Sequence, residues 1–281
     1  MNSQNTSTRG TNFLESNSLV AIVAFLILLL IGFIVILRAS VGFFAYLFSP
    51  SRSPHLFDGM IDSKHMMVIP QDPSRKGAVP IVRSINQSDG IEFTWSVWIY
   101  IDDLAHNKGQ FKHIFHKGND NIKVDGPSAG MNFPNNAPGL YLAPFKNDLV
   151  VVMNTFNRIT EKVHVKDVPL NKWINVILRV ENTTLDVYIN GTIVKRHILS
   201  GVPRQNYGDV FVSMNGGFNG YTSNLWYWDY ALGTTRIQHI VDKGPNMNMI
   251  GNDMKQSEPR YFSMRWFFNN VDSVGSDFGG I

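Results

Sequence analysis

The hydrophobic and polar positions of this chain form two contrasting patterns, and the first is a continuous apolar run near the N-terminus. Leu19 to Leu37 contains no charge and no proline, and its one glycine is Gly32. At about 1.5 Å per residue such a helix would span about 28 Å, close to the thickness of the hydrocarbon core of a bilayer. The run predicts a transmembrane helix at 19–37, whose anchoring side chains include Leu19, Phe25, Leu29, Phe33 and Leu37.

Two alternatives to an anchor are a buried core helix and a cleavable signal sequence. A core helix is usually shorter and carries polar residues at the 3.6-residue period, which this run lacks. A signal sequence usually has an apolar core of about 7 to 15 residues after a basic segment. Here only Arg9 precedes the run, Glu15 offsets its charge, and bulky aromatic residues follow at 43–48. An uncleaved anchor is favoured, with a disordered polar tail at 1–18 and a juxtamembrane segment and linker at 38–56.

The second pattern begins near residue 91, where apolar residues alternate with residues of mixed polarity. Phe93, Trp95 and Val97 share one face of the stretch 91–101, and the residues between them share the other. A period of two is the signature of a strand, and the fully apolar face is predicted to point into a core.

Further short strands separated by turn residues follow the same rule. Asn190-Gly191 is a favoured hairpin turn because both central positions of a type I′ turn need a positive φ. Roughly ten strands without intervening long helices predict an all-β, antiparallel two-sheet sandwich at 57–244, followed by a tail at 245–281. The other predicted elements are strands within 66–69, 113–118, 139–144, 148–156, 172–182, 185–189, 191–199, 209–217 and 221–232, and a short helix at 234–241.

Composition removes several classes of function. The formal charge of +3 on 281 residues includes no block of Lys and Arg, so nucleic acid is not an expected partner. The chain has no cysteine, which excludes disulfides, thiolate metal sites and cysteine nucleophiles.

Six stretches of the predicted strands carry a resemblance to a known family: FTWSVWI at 93–99, PGLYL at 138–142, KWINV at 172–176, LDVYING at 185–191, GFNGY at 217–221 and LWYWDYAL at 225–232. Taken together and in this order, they resemble the concanavalin A-like sandwich of the laminin G and pentraxin type. The resemblance implies a jelly roll of two stacked antiparallel sheets. The aromatic-rich last stretch, joined to an N-terminal anchor, also resembles proteins of large DNA viruses of algae and protists, which implies a protein of a virion or virus-factory membrane.

Enzymatic activity is not expected. Glycoside hydrolases share this superfamily and use two carboxylates about 5 to 9 Å apart, commonly at alternate positions of one strand. None of the five glutamates has a carboxylate two residues away: Glu15, Glu92, Glu161, Glu181 and Glu258.

Calcium is the one cofactor that the loop residues suggest. Asp120, Asn121 and Asp125 lie in the loop at 118–136, and Asn215 lies in another. Calcium prefers such oxygen ligands in lectin-like loops, yet Asp and Asn are also common in turns for conformational reasons.

Aromatic residues late in the chain are the candidate contact residues for a carbohydrate or protein partner. Trp226, Trp228 and Tyr230 are predicted on one strand face, with Tyr221 at its start. The favoured interpretation, however, is that these aromatic residues pack against the second sheet, since such sandwiches bury aromatic side chains between their sheets. A zinc pair is not expected because His113 and His116 are predicted on opposite faces of a strand.

Basic residues near the apolar run suggest an orientation. Arg9 precedes the run, and Arg38 and Arg52 follow it, which favours a cytoplasmic C-terminal side. In a virion that side is the space between the inner membrane and the shell. Four Asn-x-Ser/Thr sequons matter only if the domain enters a glycosylating lumen.

The sequence therefore predicts a non-enzymatic, single-pass membrane protein that presents a laminin G-like binding or structural module. The leading hypothesis is a minor capsid or virion membrane protein that links the bilayer to a capsid protein. The alternative is a membrane-anchored surface lectin that binds glycans with or without calcium.

Overall fold

The computed structural model describes residues 19–84, 86–87 and 90–250. The chain divides into two units, 1–49 and 50–281. Helix α1, Leu19–Leu47, forms the first unit and continues ten residues beyond the end predicted at residue 37. Arg38 consequently lies inside the helix. Within the described ranges, α1 is the one helix long and apolar enough to cross a membrane, and by length and composition it fits a membrane anchor or a signal sequence.

The predicted anchor residues lie within one third of the circumference of α1, and the remaining sides of the helix carry apolar residues as well. Their exposed fractions range from 42% at Phe25 to 79% at Leu19. A helix that is apolar around its whole circumference needs an apolar environment on all sides. Among the described residues of the first unit no packed core supplies that environment, because nearly every large side chain of α1 is exposed.

The described part of the second unit is built from short strands, two single-turn 3₁₀ helices at Gly126–Ser128 and Met214–Gly216, and one α-helix. Helix α2 spans Thr234–Lys243. The strands are β1 His55–Asp62, β2 Met67–Ile69, β3 Asn86–Gln87, β4 Gly90–Ile101, β5 Lys112–Gly118, β6 Gly139–Leu142, β7 Leu149–Met153, β8 Glu161–Val165, β9 Trp173–Asn182, β10 Thr184–Ile189, β11 Thr192–Ile198, β12 Asp209–Val212 and β13 Gly220–Trp228.

These strands form two antiparallel sheets, which confirms the predicted sandwich. The front sheet has the order β1-β13-β4-β9-β10-β11, with the short β3 paired to β4. The back sheet has the order β2-β12-β5-β6-β7-β8. Neighbours in sequence are often separated in space, as expected of a jelly roll.

The apolar face of β4 points into the space between the sheets, as predicted. Trp95 is 1% exposed at the centre of this core. Its ring lies 5.3 Å from that of Phe115 on the back sheet and 5.0 Å from that of Tyr227 on β13. Aromatic rings at such separations add to the stabilisation that comes from burying their area.

The sandwich extends beyond the predicted limits. Strand β1 begins at His55, within the segment predicted as linker, and β8 had no predicted counterpart. After α2, the backbone at 248–250 pairs with Met60 of β1. Asn190 and Gly191 both have positive φ, which confirms the predicted turn. The remainder of the predicted tail, including the apolar cluster at 264–268, lies outside the described residues.

Candidate functional site

The two tryptophans singled out in the sequence lie on the outer face of the front sheet. Their rings stack at 5.6 Å, and His55 of β1 stacks on Trp226 at 3.8 Å. Trp228 is 3% exposed and packs in a cluster with Ile237 of α2. The favoured interpretation, that the pair packs against the second sheet, is wrong because residues 225 and 227 are the ones that face inward. Helix α2 and His55 cover most of this pair, which leaves little ring surface for a ligand.

The other two candidate aromatics lie apart from that stack. Tyr230 follows the end of β13 and is 38% exposed, and its carbonyl accepts a hydrogen bond from the hydroxyl of Thr94. Tyr221 lies at the opposite end of β13. The four residues therefore do not form one surface, because the strand separates Tyr221 from the rest by its whole length.

Tyr221 instead belongs to a row of aromatic side chains that crosses three adjacent strands. It pairs with Tyr100 of β4, which pairs with Trp173 of β9. The ring centroids are 6.3 Å apart for the two tyrosines and 5.6 Å apart for Tyr100 and Trp173. All three side chains are half-buried. We call these three residues the aromatic row.

Sequence reasoning did not identify two members of the aromatic row. The period-2 pattern of β4 and β9 placed Tyr100 and Trp173 on the faces opposite the core, which was a usable signal. The pairing of three strands that are far apart in sequence was needed to bring them together. Tyr and Trp combine a large apolar area with a polar tip and are enriched where proteins meet partners.

The candidate calcium ligands are exposed, and their loops make different contacts. The carbonyl of Asn121 accepts the N–H of Phe133, which folds the long loop back on itself. Asn215 contacts Asn107 and Gln110, near the start of β5. In the described part of the chain no group of three or more His, Asp or Glu side chains could hold a metal ion. A calcium site at Asp120, Asn121, Asp125 and Asn215 stays a prediction.

His113 and His116 lie on the same face of β5, contrary to prediction. A register shift between His113 and Phe115, of the kind a β-bulge makes, changes the alternation of faces. The N–H of Met214 donates to Nδ1 of His113, so His113 Nε2 donates to Nδ1 of His116 at 2.6 Å, and His116 Nε2 donates to the carbonyl of Asn119.

Both imidazoles are neutral members of this buried chain. Burial lowers the pKa of His113 well below its usual range, and the neighbouring His116 lowers it further. Burial also lowers the pKa of His116 to about 4, although its bond to the carbonyl of Asn119 opposes the shift. All four ring nitrogens are engaged, so the pair ties β5 to the loops at Asn119 and Met214 and has no free ring nitrogen for a metal.

Glu161, Ser200 and His197 form the cluster most similar to a catalytic triad. The Ser200 hydroxyl donates to Glu161 Oε2 at 2.7 Å, and His197 Nε2 lies 3.0 Å from Oε1. In a serine triad the imidazole lies between the hydroxyl and the carboxylate, whereas here the carboxylate lies between the other two. Burial alone would raise the pKa of Glu161, but these hydrogen bonds outweigh it and lower the pKa. The cluster joins β8 of the back sheet to β11 of the front sheet.

The fold and its surfaces define a lectin-like jelly-roll domain with the aromatic row on the outer face of its front sheet. A family model described as the concanavalin A-like lectin/glucanases superfamily, Laminin_G_3, matches residues 76–238. Because the match covers more than half of the chain, the chain belongs to this superfamily. No curated protein matches it.

Several solved structures are similar to this chain. The binding domain of Paraclostridial Mosquitocidal Protein 1 is 14% identical, with 69% of this chain and 46% of that one covered and a TM-score of 0.47. The binding domain of botulinum neurotoxin DC in complex with rat synaptotagmin II is 16% identical, with coverages of 54% and 36% and a TM-score of 0.41. The chain spans less than half the length of each.

Proposed function

We propose that this chain is a non-enzymatic, membrane-anchored binding module and that the aromatic row contacts a protein partner. The half-exposed rings of Tyr221, Tyr100 and Trp173 carry the proposal. Residues of these types supply much of the binding energy where proteins meet, because they bury large areas and lose little conformational freedom. Helix α1 would hold the module at a bilayer, which raises the effective concentration of partners on that surface.

The absence of catalysis is part of the proposal. The superfamily's description names glucanases, and those reactions need two available carboxylates. The most buried carboxylates of the described residues are engaged elsewhere: Asp186 and Asp229 with arginines, and Glu161 with Ser200 and His197. A broad glycosidase screen that detected turnover would contradict this part.

We extend the proposal to location and partner. The resemblance to membrane-anchored proteins of large DNA viruses supports a minor capsid protein that links an inner virion membrane to the shell, with the module facing the capsid or the cytoplasm. Protease protection of intact particles, read with antibodies to each end of the chain, reports this topology directly. Absence of the chain from purified particles, or glycosylation of Asn182 in expressing cells, would contradict it.

The partner surface can be mapped by photo-crosslinking. A benzoylphenylalanine in place of Tyr100 is expected to crosslink to one protein, and the product is expected to disappear when Tyr221 and Trp173 are both changed to Ala. Phe145 is 71% exposed and lies between β6 and β7 of the back sheet, so the same crosslinker there is the matched control. Equal crosslinking from both positions would contradict a specific contact at the aromatic row.

A second candidate function is a surface lectin, which the half-buried aromatic rings of the row favour because such rings can stack on sugars. A glycan array probed with the full chain in nanodiscs would then give signals that Trp173→Ala lowers about fivefold, an aromatic contact being worth about 1 kcal/mol. Phe145→Ala is expected to leave them unchanged. Loss of signal with a chelator would support the predicted calcium site, and a blank array would contradict the lectin function.

A further inference from the structure

A cavity of about 320 Å³ opens at one end of the sandwich, away from the aromatic row. Phe93 and Trp95 of β4 and Tyr227 of β13 line it from the front sheet, and Lys117 lines it at the end of β5. The loops at 71–83 and 205–207 complete its mouth. Its size falls at the lower end of the range of small-molecule sites.

The inner walls of this cavity are apolar. Trp95 and Phe93 are 1% and 3% exposed, and Ala137 closes one side. The hydroxyl of Tyr227 donates to the carbonyl of Val82, which holds the 71–83 loop against the front sheet. An apolar wall of this kind accepts an aromatic or aliphatic body through burial of its surface.

A buried ammonium group faces the same space. Lys117 is 7% exposed, and its Nζ donates to the carbonyls of Asn206 at 3.0 Å and Gly208 at 2.7 Å. An ammonium has three donors, so one remains after these two bonds. Within the described ranges no carboxylate lies at ion-pair distance from Lys117. The nearby Asp209 accepts from Arg75 and from the N–H of Gln71.

The electrostatics of the cavity favour an anion. Burial lowers the pKa of Lys117 to about 8, and Asp209 opposes the shift. Arg83 lines the mouth, where its Nε donates to Gln205. Asp72 also lines the cavity, and its Oδ1 accepts the N–H of Ser74. A buried charge without a counter-charge at ion-pair distance is costly, and an anionic ligand would offset that cost.

We propose that this cavity binds a small carboxylic acid with an apolar body, the carboxylate accepting from Lys117 and the body lying against Trp95 and Tyr227. The site is independent of the aromatic row and of any macromolecular partner. Its two requirements, a negative charge and an apolar body, come from different walls of one cavity and can be tested separately.

The test is fluorine NMR of the full chain in nanodiscs, with empty nanodiscs as the blank. The probe is para-fluorophenylpropanoate, and para-fluorophenylpropanol has the same body without the charge. The acid is expected to bind at least about tenfold more tightly than the alcohol, since a hydrogen bond to a charged group contributes about 1.5 to 3 kcal/mol. Equal binding of the two compounds, or no saturable binding of the acid at millimolar concentration, would overturn the proposal.

Lys117→Met is expected to weaken binding of the acid by roughly tenfold to a hundredfold and to leave the alcohol unchanged. Lys112→Met is the matched control, because Lys112 is a fully buried lysine on the same strand that donates to the carbonyl of Pro144 and does not line the cavity. Val82→Phe, which fills the mouth, should weaken both compounds. Unchanged binding of the acid to Lys117→Met would overturn the assignment.

The pH dependence supplies an independent measurement. The titratable or charged groups around Lys117 are Asp209 with Arg75, and the cavity-lining Asp72, Arg83, Tyr207 and Tyr227. Because Lys117 loses its proton above a pKa of about 8, affinity for the acid is expected to fall about fivefold between about pH 8 and about pH 9. Affinity for the alcohol should not change, and a flat profile for the acid would count against the proposal.

Discussion

At about pH 5 the sandwich is expected to be about 2 kcal/mol less stable than at about pH 7 because of His116 alone. The pKa of His116 is about 4 in the folded chain, against 6.5 in the unfolded chain. As the pH falls below 6.5 the unfolded chain takes up a proton that the folded chain cannot, so stability is lost between about pH 6.5 and about pH 4. His113 contributes in the same direction.

Urea titrations of the full chain in detergent, followed by tryptophan fluorescence, measure this loss at each pH. His116→Gln is expected to be less stable at pH 7 but to lose less stability on acidification than the wild type. His239→Gln, an exposed change on α2, is the control and should keep the wild-type dependence. His55, whose burial lowers its pKa to about 4, adds to the wild-type loss. An unaltered pH dependence in His116→Gln would contradict the explanation.

Asp186→Ala is expected to cost about 3 kcal/mol of unfolding free energy. Asp186 is fully buried and accepts from Nε and Nη2 of Arg196 at 2.7 and 2.9 Å, and Nη1 of Arg179 lies 3.4 Å from it. Arg179 also donates to the carbonyl of Leu232, ahead of α2. Removing one partner of a buried pair leaves an uncompensated charge, which costs about 3 to 5 kcal/mol. The lower value applies because Arg196 is 62% exposed and can regain water.

The same urea titrations test this prediction. Asp242→Ala is the matched control, because Asp242 is an exposed carboxylate on α2 whose one side-chain partner is Gln238. Its effect is expected to stay within about 0.5 kcal/mol. A loss below about 1 kcal/mol for Asp186→Ala would mean that the arginines find other partners or solvent at little cost.

The fold class could be predicted from the sequence because its signals are local. The apolar run at 19–37 and the alternation along 91–101 depend on the geometry of one element each. Strand β1 was missed because His55–Asp62 follows a proline-rich stretch and has no regular alternation, since it pairs with β13 through two register shifts. Helix α1 continues past Arg38 because one charge within a helix breaks neither the backbone hydrogen bonds nor the helical propensity.

By itself, the sequence determined the apolar helix, the two-sheet sandwich and the inward face of β4. Only the tertiary structure decided where the polar and aromatic side chains meet. The contact of His113 with His116 depends on one irregular position in β5. The aromatic row depends on the pairing of three strands that are distant in sequence. The cavity likewise brings Lys117 and Trp95 together from two different sheets. Periodicity records which face a residue occupies, whereas register and strand order, set by packing of the whole domain, decide its neighbours.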